Sequence, residues 1–335
     1  MKRILVVGGG LIGFRHLQAV QAHAGCKLVG LADPDMSIQS DVPRFAKMGD
    51  VMMPVDGVII ATPTHLHASH GIEAAERGWH MLIEKPVAEK LESAKKLETA
   101  LRSKNIRSLV GHHRRYHAVV QQLKACLQDG LIGEVVNVSV LWAMRKPDVY
   151  FEGNWRTDGG SPVMINLVHD IDILRFVIGE ITQTVALRGR SLRGSTRVES
   201  GAVALAFENG AVGTISFADT TPSPWGFEAG TGENPNIGTT KQDMMWITGT
   251  KGAISFPSMT VWKGTDWGSS AKPITFEPAQ NMRTPLEAQL DHFVDVINGD
   301  EPLIDVTDAA STLAIAQELE NQLVAPTSNT ATKSA

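Results

Sequence analysis

The sequence predicts an α/β protein with an N-terminal, doubly wound parallel sheet and a C-terminal domain with a mainly antiparallel sheet. Three observations indicate this class. A length of 335 residues suits about two domains of roughly 150 residues each. The first part alternates short apolar runs with helical stretches, which is typical of parallel βαβ units. The later part has turn-bounded alternating runs with few helices, which is typical of antiparallel sheets.

The first domain is predicted over residues 1–118. A β-branched run at 3–7 leads into glycines and then into a segment in which apolar residues recur with helical spacing. Further strands are predicted at 27–32, 57–61, 80–84 and 107–111. Helical stretches, among them 88–103, separate these strands, so we expect the strands to lie parallel in one sheet.

The second domain is predicted over residues 119–325, and residues 326–335 are predicted to form a flexible tail without apolar periodicity. After a helix near 117–128, strands are predicted at 134–142, 183–190, 201–208, 211–217, 244–248, 252–256 and 259–263. One helix near 163–178 interrupts them, and two helices near 285–298 and 307–323 follow. The segment 219–243 is the longest stretch predicted to lack regular structure, which favours a functional or mobile loop.

Composition and charge argue against several classes of partner. A net charge of −5 gives no general basic field for nucleic acid. No apolar run in the sequence approaches the ~18 residues of a membrane span, and glycines interrupt the N-terminal apolar run before a signal peptide is formed. The only two cysteines, Cys26 and Cys126, lack metal-type spacing and suit a reducing compartment. We therefore expect a cytoplasmic chain that binds no metal, nucleic acid or membrane.

Gly8, Gly10 and Gly13 form a GxGxxG pattern between the first strand and the first helix. Such glycines allow a tight turn and the close approach of a pyrophosphate to the helix N-terminus, where free amides favour an anion. Leu11 and Ile12 lie within the same turn, so we expect them to contact a dinucleotide too. The alternative is a glycine turn with a packing role alone.

Asp33 ends the second strand, 20 residues after the last glycine of the pattern. The dinucleotide fingerprint places an acidic residue there, on a ribose 2′-hydroxyl. A carboxylate repels a 2′-phosphate, so the sequence favours NAD over NADP. The alternative is a strand-end turn residue before a proline.

Polar residues also follow the third and fourth strands, at the edge where a doubly wound sheet binds its ligand. The third strand runs into TPTHLH (62–67), from which we expect Thr62, Pro63 and His65 to contact the cofactor. His65 and His67 either line the crevice or only cap the next helix. The fourth strand runs into Glu84 and Lys85 before a proline, and desolvation at that place favours a neutral lysine amine. The alternative for Lys85 is a solvated surface position.

Asn166 and His169 share one face of the helix near 163–178, because they are three residues apart. A buried amide and imidazole suit a hydroxylated substrate, with His169 as the proton carrier. The alternative is a core histidine without a catalytic role.

These motifs together resemble the Gfo/Idh/MocA family, of glucose-fructose oxidoreductase and inositol dehydrogenase type. The resemblance rests on GGGLIG, Asp33, TPTHLH, EKP, GHHRRY (111–116), NWR (154–156), GGSPVMINLVHDIDILRFVIG (159–179) and LEAQLDHFVDVINGDEP (286–302). It implies NAD(P)-dependent oxidation or reduction at a carbon of a sugar, cyclitol or related polyol. It also implies an N-terminal Rossmann domain and a C-terminal α/β domain with a large, open, mainly antiparallel sheet. A homodimer or homotetramer would form through that sheet.

The resemblance assigns roles around the reacting carbon. It makes Lys85 the catalytic lysine that hydrogen-bonds the reacting oxygen, followed by a cis bond to Pro86, and it makes His169 the general acid/base. Glu84 would lie against the nicotinamide side of the cofactor, and Lys85 would contact the cofactor as well as the substrate. A second set of contacts is implied at Trp155 and Arg156, which would reach the cofactor, and at Arg115 and Tyr116, which would touch the substrate.

One position departs from the family pattern. The family places an aspartate four residues before the histidine, whereas this sequence has Ile165 there and Asn166 next to it. An amide takes no proton, so a substitute base, another substrate orientation or loss of activity are open. Two alternatives to a dehydrogenase therefore remain: an NAD(H)-bound regulatory or binding protein without net turnover, and an NAD-using lyase or glycosidase of the same family.

Overall fold

Two β-sheets organise the chain in the computed structural model, which describes residues 1–152, 161–194, 196–264, 267 and 272–324. The chain divides into two units: the first comprises Met1–Gln122 and Ala279–Ala314, and the second comprises Leu123–Pro278 and Ile315–Ala335. The predicted domains, 1–118 and 119–325 with a tail at 326–335, stay predictions about independently folding parts.

The first sheet has six strands, all paired in parallel. They are β1 (Lys2–Val7), β2 (Cys26–Ala32), β3 (Arg44–Phe45), β4 (Gly57–Ile60), β5 (His80–Ile83) and β6 (Ser108–Val110). Their order is β3-β2-β1-β4-β5-β6, so the strand order reverses between β1 and β4. Ligands of doubly wound sheets bind at the carboxyl ends of such a pair. This confirms the predicted parallel sheet, to which the structure adds the short β3.

Helices of the first unit lie between these strands and after residue 279. They are α1 (Leu11–Ala22), α2 (Thr64–Glu76), α3 (Leu91–Lys104), the first part of α4 (Ala118–Gln128), α7 (Pro285–Asn298) and the first part of α8 (Val306–Val324). Helix α7 begins with a capping box, in which Thr284 and Glu287 each accept a hydrogen bond from the other's backbone amide. A Cβ on Gly57 of β4 would lie 2.7 Å from the Ile297 side chain, so α7 packs closely on this strand.

The second sheet has eight strands in the order β14-β13-β12-β11-β7-β10-β9-β8. They are β7 (Val135–Ala143), β8 (Ile181–Arg188), β9 (Ser200–Phe207), β10 (Val212–Ala218), β11 (Met245–Gly249), β12 (Gly252–Phe256), β13 (Thr260–Lys263) and β14 (Lys272–Thr275). All neighbours are antiparallel except β7 and β10. The predicted mainly antiparallel sheet is therefore confirmed, with β14 as an addition.

Two helical segments of the second unit carry Asn166, His169 and Glu228. Residues Val163–Leu167 wind as a π-helical turn that continues into α5 (Val168–Val177). A short helix, α6 (Phe227–Thr231), lies inside the segment 219–243. That segment was predicted to lack regular structure, and this prediction is wrong for α6. The cause is that its glycine-rich sequence lacks helical periodicity, while Phe227 anchors the turn by being completely buried.

Buried and exposed side chains alternate along β7 of the second sheet. Several other residues of this sheet carry large apolar side chains that are exposed. Val138, Val140 and Trp142 of β7 alternate as buried residues. Exposed large apolar side chains on the sheet are Val136, Val185, Leu187, Val212, Trp246, Trp262 and Ile274. Among the described helices, none combines the length and the hydropathy that a membrane span requires.

Candidate active site

The glycine turn after β1 packs too closely for side chains at two of its glycines. Gly8 has a φ of +96°, and a Cβ there would lie 2.6 Å from the Ala61 carbonyl oxygen. A Cβ on Gly13 would lie 1.9 Å from the Gly8 carbonyl oxygen. Both positions therefore require glycine, which brings the first turn of α1 directly against the end of β1.

The N-terminus of α1 is open where the glycine turn ends. Gly10 is the N-cap residue, no side chain caps the helix, and no described atom lies within 4 Å of a Cβ built on Gly10. Leu11 is exposed and Ile12 is half-buried. Free backbone amides and the helix dipole favour an anion here, so this turn fits the pyrophosphate of a dinucleotide.

Asp33 lies beside the glycine turn. Its Oδ2 accepts a hydrogen bond of 2.6 Å from the Gly9 amide, and its Oδ1 accepts one of 2.8 Å from the Asp35 amide. The two bonds fix the carboxylate at the end of β2. A fixed negative charge next to an open helix N-terminus suits a ribose 2′-hydroxyl and repels a 2′-phosphate.

The turn after β4 is held by a buried histidine. One ring nitrogen of His67 lies 2.8 Å from the Thr62 carbonyl oxygen, and the other lies 2.7 Å from the Pro86 carbonyl oxygen. Burial lowers the pKa of His67. His67 thus joins the turns after β4 and β5, whereas Pro63 and His65 are exposed at the start of α2 and remain predicted cofactor contacts.

Glu84 is a buried carboxylate at the end of β5. Its Oε1 lies 2.9 Å from Nε2 of His16, and its Oε2 accepts a 3.2 Å bond from the Lys85 amide. Burial alone would raise the pKa of Glu84, but the bond and charge of His16, with the charges of His113 and Lys85, lower it to about 2. The half-buried Lys85 therefore follows an ionised, anchored glutamate, and its bond to Pro86 is cis.

Arg115 and Tyr116 have partners within the first unit. Nη1 of Arg115 donates to Oδ2 of Asp308 at 2.7 Å and to the Leu303 carbonyl oxygen at 3.1 Å. The Tyr116 hydroxyl lies 2.7 Å from Nδ1 of His292, and burial raises the pKa of Tyr116. These contacts join the segment 113–116 to residues 292–308, and the predicted substrate contacts of Arg115 and Tyr116 stay predictions.

In the second unit, Asn166 is held from two sides in the π-helical turn before α5. Its Oδ1 accepts a hydrogen bond from Nζ of Lys146, and its Nδ2 donates to Oε1 of Glu228 at 3.4 Å. Glu228 lies on α6 and is buried. The two bonds fix the orientation of the amide, because its oxygen faces an ammonium group and its nitrogen faces a carboxylate.

His169 lies at the start of α5 and is 6% exposed. Asp170 and Asp172 on the same helix are buried too, and Arg175 binds Glu180 through two hydrogen bonds of 3.0 and 2.8 Å. Trp155 and Arg156 fall outside the described residues. In the parts of the chain that the structure describes, no three His, Cys, Asp or Glu side chains converge as metal ligands do.

The predicted site residues fall into two groups, one in each unit. In the first unit, the glycine turn, Asp33, Thr62, Glu84 and Lys85 follow the carboxyl ends of neighbouring parallel strands. In the second unit, Asn166 and His169 occupy one helical segment. Sequence reasoning missed His16, Lys146 and Glu228. None of the three carries a distinct sequence signal, since the helix of His16 also contains the polar residues Arg15, Gln18 and Gln21.

Family models match most of the chain. A model described as an oxidoreductase family with an NAD-binding Rossmann fold matches residues 2–112. A model described as the GFO/IDH/MocA C-terminal domain matches residues 120–255.

Individual relatives match over different spans. An uncharacterized oxidoreductase of Streptococcus pneumoniae is 27% identical over 193 residues, which are 55% of this chain and 52% of the relative, so the match spans about half of that protein. The scyllo-inositol 2-dehydrogenase (NAD(+)) of Bacillus subtilis is 27% identical over 93% of this chain and 91% of its own length. The WlbA dehydrogenase of Bordetella pertussis, crystallised with NADH and UDP-GlcNAcA, has a similar fold, with a TM-score of 0.77 at 21% identity and coverage of 96% and 95%.

Proposed function

Since this chain belongs to the Gfo/Idh/MocA family of oxidoreductases, we propose that it transfers hydride between NAD and a secondary alcohol or carbonyl of a sugar, cyclitol or related polyol. Its first unit carries the NAD-binding Rossmann domain of the family. The observation that carries the proposal is the uncapped N-terminus of α1, in a glycine turn that Asp33 borders. The activity is that of an NAD-dependent dehydrogenase acting on CH–OH groups.

NAD supplies the hydride acceptor when it is bound, and the protein supplies binding, orientation and charge. The α1 amides around Leu11 and Ile12 would hold the pyrophosphate, and Asp33 would hold the adenosine ribose hydroxyls. Thr62 would contact the cofactor from the end of β4, and Glu84 from the end of β5. Their positions at adjacent strand ends support this assignment.

Lys85 and His169 are proposed to act on the reacting hydroxyl. During oxidation the hydroxyl loses its proton as hydride leaves the same carbon, so a positioned acceptor lowers the barrier. We assign the hydrogen bond to the reacting oxygen to Lys85, whose backbone amide is anchored on Glu84. We assign the proton to His169. Proton acceptance by these groups favours oxidation at neutral to mildly alkaline pH.

Asn166 and Glu228 are proposed to replace the family aspartate that is absent at Ile165. The amide itself neither takes a proton nor carries charge, but its bonds to Lys146 and Glu228 fix its orientation. We assign Asn166 to orienting a substrate hydroxyl and Glu228 to positioning Asn166. The carboxylate thus acts through another residue, while the ammonium of Lys146 offsets its buried charge.

Assembly and location belong to the same proposal. We propose a homodimer or homotetramer formed through the second sheet, since large apolar side chains such as Leu187 and Trp246 are exposed on it. A cytoplasmic location is proposed from the two free cysteines.

An NAD⁺-linked activity screen tests the function. Aldoses, inositols and sugar acids are offered with NAD⁺, and absorbance at 340 nm is followed together with chromatography of the products. NADH formation with at least one polyol is expected. New product without NADH would indicate a lyase or glycosidase instead, and NADH binding without any conversion would indicate a regulatory protein.

A further inference from the structure

A cavity of about 530 Å³ opens in the second unit, away from the Asn166 amide but next to its partner Lys146. It lies between the segment that follows β7 and the segment that precedes β9. Its lining comprises Arg145, Asp148, Phe151, Glu152, Leu192, Arg193, Arg197 and Thr220. Three arginines around one cavity indicate a polar occupant, so their individual bonding decides what the cavity can bind.

Arg193 bonds the protein through all three nitrogens of its guanidinium group. Its Nε donates to Asp148 at 3.0 Å, its Nη1 donates to Oδ1 of Asp219 at 2.6 Å, and its Nη2 donates to the carbonyl oxygens of Lys146 and Asp219, both at 2.9 Å. Every nitrogen of this guanidinium has a partner. Arg193 therefore ties the cavity wall together and uses four of its five N–H donors within the protein.

Arg197 differs from Arg193 in its hydrogen bonding. It is 7% exposed, and its guanidinium carbon lies 3.4 Å from the centre of the Phe151 ring. Its Nε and Nη1 have no hydrogen-bond partner among the described residues, and its Nη2 lies 3.6 Å from Oδ2 of Asp219. Buried polar groups are almost always hydrogen-bonded, so a buried guanidinium with two unused donors on a cavity wall requires a partner.

Asp219 forms an ion pair with Nη2 of Arg197 but leaves its Nε and Nη1 without a hydrogen bond in the described part of the chain. Oδ1 of Asp219 accepts from Arg193. Glu199 accepts from the Ser191 hydroxyl and from the amides of Leu192 and Arg193. Asp148, Asp219 and Glu199 thus bond Arg193 and the segment 191–193, while Glu152 is a further carboxylate and Arg145 a further cation of the lining.

We propose that this cavity binds the carboxylate or phosphate of an acidic polyol substrate, with Arg197 as its buried anchor. A guanidinium matches the geometry of these oxyanions, because its planar N–H groups donate in pairs. Lys146 connects the cavity to the helical turn that carries Asn166, since its carbonyl oxygen bonds Arg193 and its ammonium bonds Asn166. The choice of an acidic polyol as substrate rests on the proposed function, whereas oxyanion binding does not.

Isothermal titration of the NAD⁺-loaded protein tests the site with matched ligands. D-gluconate carries a carboxylate, D-glucose 6-phosphate carries a phosphate, and D-glucose carries neither. We expect at least one anionic ligand to bind about tenfold or more tightly than glucose, as a charge-assisted hydrogen bond provides. Which of the two it is identifies the oxyanion. Equal affinities for all three ligands would overturn the proposal.

Two variants locate the effect. Arg197→Gln is expected to remove the preference for the anion, whereas Arg190→Gln, an exposed arginine outside the cavity lining, is expected to retain it. A preference that survives Arg197→Gln would place the oxyanion elsewhere. If Arg197→Gln does not fold, competition by inorganic phosphate in the wild type decides, because a ligand held by an oxyanion site loses affinity and a ligand held only through hydroxyls does not.

Turnover separates this proposal from the proposed function. Anion preference without NADH formation from any ligand leaves the site standing and contradicts the dehydrogenase. NADH formation from neutral polyols with no anion preference leaves the dehydrogenase standing and contradicts the site.

Discussion

His16 and Glu84 form a buried pair, with Nε2 of the imidazole 2.9 Å from Oε1 of the carboxylate. His16 lies on α1, directly after the glycine turn, and Glu84 ends β5 immediately before Lys85. Both side chains are at least nine-tenths buried. The pair therefore couples the helix that follows the glycine turn to the turn that carries the proposed catalytic lysine.

His16→Ala is expected to lower the free energy of unfolding at pH 7 by about 2 kcal/mol, because it leaves a buried carboxylate without its partner. The pKa of Glu84 is depressed from 4.5 to about 2, so its contribution is present above about pH 4.5 and is lost as the pH falls towards 2. The difference in the free energy of unfolding between variant and wild type should therefore narrow as the pH falls from about 4.5 towards 2. Urea unfolding at several pH values measures it, with the exposed His65→Ala as the control. An equal loss in both variants would contradict the role of the pair.

Asp33→Ser is expected to weaken NADH binding by about tenfold, since hydrogen bonds to a charged group contribute about 1.5–3 kcal/mol. Binding of NADPH should change less, because the variant also removes the repulsion of the 2′-phosphate. Fluorescence titration of both cofactors gives the ratio. Asp41→Ser, at an exposed position, is the matched control. An unchanged NADH to NADPH ratio would remove Asp33 from cofactor selection.

Lys85→Ala is expected to lower kcat by about 10²–10⁴-fold, the usual contribution of a positioned proton-transfer group. NADH affinity should stay within about threefold, which is less than 1 kcal/mol. Steady-state assays on a substrate from the activity screen, with cofactor titration, separate the two quantities. Unchanged turnover with intact cofactor binding would exclude Lys85 from the reaction.

Glu228→Gln is expected to raise KM and lower kcat, since a neutral amide oxygen accepts a weaker hydrogen bond from Asn166 than a carboxylate does and so holds Asn166 less firmly. Because the loss of a buried charge also alters the field at the active site, the pH–rate profile should shift. Glu228→Asp should recover part of the activity, which a purely structural role would not explain. Glu208→Gln, at an exposed position, serves as the control. A Glu228→Gln profile that overlays the wild type would contradict the positioning role.

The partly buried carboxyl group of Glu320 is expected to make the protein less stable as the pH rises. Its Oε1 accepts a hydrogen bond from the Ser161 hydroxyl, and burial raises its pKa from 4.5 to about 7. The folded state therefore favours the protonated acid, and stability is lost as the pH rises from about 4.5 through 7. Glu320→Gln should raise Tm at pH 8 by several degrees and change it little at pH 5. Calorimetry measures this, with the exposed Glu318→Gln as control; equal shifts at both pH values would contradict it.

The strands and the glycine turn could be predicted because their signals are local. β1, β4 and β5 are short, largely apolar runs buried along most of their length, and the glycine turn directly follows one of them. The pairs His16–Glu84 and Asn166–Glu228 could not be predicted, because their partners are 68 and 62 residues apart. Nothing in the spacing of a lone glutamate in a glycine-rich segment indicates that it binds an asparagine in a distant helix. The short helix α6 escaped prediction for the same reason.

The return of residues 279–314 to the first unit has a consequence for biosynthesis. Arg115 pairs with a residue 193 positions later in the chain, and Tyr116 with one 176 positions later. A nascent chain cannot form these two bonds before residues 292–308 have left the ribosome. The first unit is therefore complete only after the intervening sheet has been translated, and a chain stopped before residue 279 would lack part of both units.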